Sequence, residues 1–116
     1  MREFANTTDA LTAFMESAKL HGQATENGNS KQANRAYDRL RVAVAYLDDE
    51  GRRSDLLGLT NSEDASVKMW AATFLLPTKM VRDAVRILEM VGQEAGIIGF
   101  DARMTLQEWN RGNLRL

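Results

Sequence analysis

Apolar residues recur once per helical turn along most of the chain, and no segment keeps the strict alternation of a strand. Leu11, Phe14, Met15 and Ala18 set that spacing in a first helix from about Thr8 to Asn27. Thr7 or Thr8 supplies its cap, Asp9 suits its first turn, and Gly28 is its stop. Ala33, Ala36, Tyr37, Leu40, Val44 and Leu47 form one continuous face in a second helix, from about Ser30 to Glu50, which Gly51 ends. A short helix from about Ser54 to Leu59 follows, with Ser54 as cap and Leu56, Leu57 and Leu59 turned inward.

Val67, Trp70, Ala71, Phe74 and Leu75 make a wide stripe from about Ala65 to Leu76, behind Asp64 as N-cap. Val81, Ala84, Val85, Leu88 and Val91 make another from about Thr78 to Val91. Pro77 separates these two helices, because its ring clashes inside a continuous helix, and so short a link makes them an antiparallel hairpin. Gly96-Ile97-Ile98-Gly99 reads as a link in which the two isoleucines plug the end of the core. A last helix is expected from about Asp101 to Arg111, with Gly112 as its stop. The capping-box spacing of Thr105 and Glu108 sets an alternative start at Leu106. The expectation is an all-α chain of five to six helices in a single domain, residues 1–116.

Composition narrows the function classes more than the fold. With 44% hydrophobic and 27% charged residues, the 116-residue chain is an ordinary globular sequence rather than a disordered one. It has no cysteine, which excludes disulfides, thiolate zinc sites and cysteine nucleophiles, and which suits a reducing cytoplasm. No segment approaches the roughly 20 apolar residues of a membrane helix. Basic and acidic residues are interspersed at a net charge of −1, so a bulk-basic nucleic-acid binder or a polybasic membrane binder is not indicated.

Little reactive chemistry is left over. His21 is the single histidine, and Ser17 one turn before it could be written as a nucleophile–base pair. Nothing in the sequence supplies the orienting group or oxyanion hole that such catalysis needs, so His21 reads as a polar residue at the edge of the core. Asp48-Asp49-Glu50 reads as a solvated turn paired with Arg52 or Arg53, or as a contact for a basic partner. Lys31, Arg35 and Arg39 lie at i, i+4 and i+8, and Lys79, Arg82 and Arg86 at i, i+3 and i+7, as two basic stripes. They are the candidate binding residues. On one side of the molecule they would track a phosphate backbone, although Asp38 and Asp83 sit beside them and no exposed aromatic pattern offers base stacking. Trp70 reads as core, Trp109 as a packing residue of the last helix, and Met69, Met80, Met90 and Met104 as gap-fillers. No catalytic residue, cofactor or metal is expected, since neither a P-loop nor a dinucleotide fingerprint occurs.

The stretch Glu63-Asp64-Ala65-Ser66-Val67-Lys68-Met69-Trp70-Ala71-Ala72 resembles the opening of a HEAT-type repeat: an Asp cap, a Val and a basic residue lead into an Ala-rich helix. Ala65 stands where such repeats often carry proline, and either residue is tolerated at a first helical position. Gly99 to Leu114, with Trp109-Asn110-Arg111-Gly112, resembles the closing motif of a small bacterial family known as a domain of unknown function. His21 to Glu26 and Ala33-Asn34-Arg35 are similar to the same family. The resemblance implies a compact, right-handed, HEAT-like α-α superhelix, and it carries over no catalytic or binding residue. A weak echo, Ala36-Tyr37 before Leu40 and Ala71 before Phe74, agrees with a repeat. The expected function is a non-catalytic cytoplasmic module that binds or scaffolds another protein. The alternative is a nucleic-acid binder using both basic stripes.

Overall fold

A computed structural model describes residues 3–116, and among them it is all-helical. Five α-helices and one 3₁₀ segment follow in order: α1 Thr7–Glu26, α2 Ser30–Asp49, the 3₁₀ segment Arg53–Asn61, α3 Ala65–Leu75, α4 Val81–Gly92 and α5 Ile97–Asn110. The chain divides into two units, one up to Asp55 and one from Leu56 to Leu116.

The first unit is the α1–α2 hairpin. Asn6, not Thr7 or Thr8, caps α1: its backbone is extended at φ −160°, and its side-chain oxygen accepts from the Asp9 N–H at 2.8 Å. Asn29 caps α2 in the same way, accepting from Gln32 N–H at 3.1 Å. Between them α1 ends in a Schellman closure, in which Gly28 N–H donates to Thr25 and Asn29 N–H to Ala24. Gly28 adopts φ +70°, a conformation open to glycine at no steric cost. So short a link leaves the helices antiparallel neighbours. They bury Ala10, Phe14 and Ala18 of α1 and Ala36, Leu40, Ala43 and Leu47 of α2. Each fully buried Leu or Phe side chain contributes about 1.5–3 kcal/mol. Phe4 meets the ring of Tyr46 edge-on, with centroids 5.5 Å apart. The same closure recurs at α2, where Gly51 donates to Asp48 and Arg52 to Leu47, and at α5, where Gly112 donates to Trp109 and Asn113 to Glu108.

The second unit is built around α3. Its Asp64 cap accepts from Val67 N–H at 3.0 Å, as the sequence leads one to expect. Val67, Met69, Ala71, Ala72, Phe74 and Leu75 are all buried, and a helix so nearly apolar all round belongs in a core. α4 packs against α3 as a hairpin, and α5 packs against both. Of the three leucines expected to turn inward in the short helix, only Leu56 is fully buried, with Leu57 and Leu59 half-buried.

Two helix starts differ from the expectation. α4 begins at Val81 rather than near Thr78. Thr78 holds a turn instead: its hydroxyl donates to the Leu75 carbonyl at 2.6 Å and accepts from Met80 N–H at 3.0 Å. α5 begins at Ile97, so Gly96 to Gly99 is the opening of a helix and not a link, and neither Asp101 nor Leu106 is its start. Thr105 is no cap: its hydroxyl donates back to the Asp101 carbonyl at 2.8 Å, inside the helix. Ile98 is buried as expected, but Ile97 faces solvent.

Candidate functional site

The outer faces of α2, α4 and α5 hold the groups that could act on something else. On α2 the buried side chains Ala36, Leu40, Ala43, Val44 and Leu47 turn toward α1. Helical geometry therefore sends Lys31, Arg35, Asp38, Arg39, Val42 and Asp49 outward, and each is exposed. Lys31, Arg35, Arg39, Asp38 and Asp49 form no ion pair with any described residue. Three local electrostatic preferences are opposed here. Cations crowd the N-terminal half of α2, acids close its C-terminus, and Lys31, Arg35 and Arg39 repel one another at i, i+4 spacing.

The second set of cations is also exposed but differently arranged. Lys79 lies in the turn before α4 and not on the helix. Arg82 and Arg86 lie on α4 and, with Val81, Val85 and Glu89, line a shallow furrow of about 280 Å³. Arg86 is already engaged, donating to Asp83 at 3.1 Å. On its other side a hollow of about 340 Å³ opens over Leu57, Thr60, Ile87 and Met90. The two sets belong to different units, α2 to the first and α4 to the second.

The acidic run at the end of α2 splits in two. Arg53 grips Asp48 with two hydrogen bonds, Nε to Oδ1 at 2.8 Å and Nη2 to Oδ2 at 2.7 Å. Arg52 turns to Asp55 instead, at 2.8 Å. Asp48 is thus a structural partner and Asp49 an open carboxylate.

Sequence reasoning missed the outer face of α5. Ile97, Phe100 and Met104 are 44%, 51% and 37% exposed, and at i, i+3 and i+7 they stand in one row. Arg103 borders the row, its guanidinium 5.9 Å from the centre of the Phe100 ring. The same arginine donates to the Gly92 carbonyl at the end of α4. Reading Gly96 to Gly99 as a link hid this row, because Ile97 and Phe100 then fall outside any helix. Two of the methionines are likewise not gap-fillers: Met104 belongs to the row, and Met90 is 57% exposed beside the α4 hollow. Met69 is buried as expected. Trp70 is half-buried and stacks on Phe74 with centroids 6.0 Å apart, and Trp109 is half-buried on α5.

His21 is half-buried, with Nδ1 3.3 Å from the Thr25 hydroxyl, and Ser17 is buried. Among the described residues no group of three or more His, Cys, Asp or Glu side chains is placed to hold a metal ion, and no helix is long and apolar enough to cross a membrane. The sequence matches no family model, and neither a curated protein nor a solved structure is detectably similar to it.

Proposed function

We propose that the chain is a non-catalytic, HEAT-like helical module that binds another protein through the outer face of α5. The observation that carries this reading is the row of Ile97, Phe100 and Met104 in solvent. Single exposed apolar residues are ordinary, but three large ones in register on one helix are the pattern of an anchor face. Phe100 supplies a rigid aromatic anchor and Met104 an adaptable flank. The complement is an amphipathic helix of the partner, laid with its apolar side against α5. A reducing cytoplasm suits a cysteine-free chain, and a bacterial source is part of the proposed family relationship.

The test compares wild-type protein and Phe100→Glu as baits in extracts of the source cell. A protein retained by the wild type and lost by the variant, with both baits equally helical, supports the reading. Identical captures overturn it.

The nucleic-acid alternative rests on the open cations Lys31, Arg35, Arg39, Lys79 and Arg82, whereas Arg86 is held by Asp83. It requires a duplex or single strand to shift in a gel at low salt and to be released steeply as salt rises.

A further inference from the structure

The geometry points to a self-association surface on α2, where a second copy of the chain lies antiparallel about a two-fold axis through Val42. The argument starts from spacing. Arg35 lies seven residues before Val42 and Asp49 seven residues after it. Seven residues are two turns less about 20°, so the three side chains fall nearly on one line along the outer face of the helix. All three are exposed, Val42 to 41%, and it is the one large apolar side chain of α2 exposed to that degree. The line therefore reads cation, apolar centre, anion.

A line of that kind is its own complement when reversed. A two-fold axis at Val42 sets the two valines together and lays each Arg35 on the other copy's Asp49, giving two equivalent ion pairs from one operation. A parallel arrangement would instead set Arg35 on Arg35 and Asp49 on Asp49.

The isolated helix gives no reason for this charge order. Arg35 and Asp49 have no ion-pair partner among the described residues, and the order of charge along α2 opposes its dipole. An antiparallel copy offsets both conflicts, since each basic half then meets an acidic end. Local rules broken on a surface without an internal gain are where an external contact is expected. The neighbouring acid Asp48 is excluded from the contact because Arg53 holds it.

The experiment is sedimentation velocity on the full chain over a wide concentration range at low and high salt. The wild type is expected to dimerise weakly at low salt and to dissociate as salt rises. Arg35→Asp and Asp49→Arg each replace two attractions by two repulsions, and each raises the dissociation constant about tenfold or more. The double variant, Arg35→Asp with Asp49→Arg, restores the pairs in reverse and returns the constant toward the wild-type value. Each substitution also brings the helix closer to its dipole preference, so all variants remain folded by circular dichroism. A wild type that stays monomeric at every concentration at low salt, or a double variant no better than the singles, overturns the inference.

Discussion

The carbonyl oxygen of Glu94 lies so close to the α-carbon of Gly99 that a Cβ at residue 99 would overlap it. The Val91 carbonyl closes the same space from 3.2 Å. Both obstacles are backbone, one in the last turn of α4 and one in the link just after it, and neither can swing aside as a side chain would. Gly99 therefore allows α5 to begin tight against the end of α4.

The first prediction follows directly. Gly99→Ala, a change that favours a helix interior by propensity, destabilises here by at least about 1–3 kcal/mol, because overpacking outweighs propensity. Urea or thermal unfolding monitored by circular dichroism measures it. A variant as stable as the wild type would show that the α4–α5 turn is looser than its geometry.

Two phenylalanines on neighbouring helices should respond oppositely to one substitution. Phe74 is fully buried and Phe100 is half in solvent. Phe74→Ala should cost about 3–5 kcal/mol, and Phe100→Ala no more than about 0.5 kcal/mol. Equal losses at the two sites would mean that Phe100 belongs to the fold rather than to a contact face.

The Arg53–Asp48 grip should register in salt. Asp48→Asn removes the charge from a two-bond contact and should cost up to about 1 kcal/mol at low ionic strength, with a smaller loss at 1 M salt. Asp49→Asn one position on, with no ion pair among the described residues, serves as the control and should leave monomer stability nearly unchanged. A larger loss at Asp49 than at Asp48 would reverse the assignment.

Where a helix signal was carried by several residues at once, the sequence was readable. α2 has a continuous apolar face and a glycine stop, and α3 has an Asp cap ahead of a dense apolar run; both start where the pattern places them. Signals resting on one residue type misled. Gly96 and Gly99 read as breakers, yet only Gly96 lies outside the helix, and Gly99 is there for close approach rather than for a turn. Thr78 reads as a helical position, but its hydroxyl serves the turn instead. The basic stripes were visible as spacing, and the structure exposes all six residues. Which cations are open was not legible: Asp83 takes Arg86, while Asp38 leaves Arg35 and Arg39 alone. The row on α5 stayed hidden because an apolar residue at helical spacing reads as core until burial separates the inner side of a helix from the outer.

The uncapped start of α5 has a kinetic consequence. Asn6, Asn29 and Asp64 each tie a side-chain oxygen to the first turn of their helices, whereas Gly96 has no side chain to offer. The opening turn of α5 should exchange amide hydrogen for deuterium well ahead of that of α3, whose first turn Asp64 caps. Since Ile97 and Phe100 lie in and beside that turn, whatever seats on them would slow its exchange. The proposed contact could then be followed through protection of backbone amides, without labelling either protein.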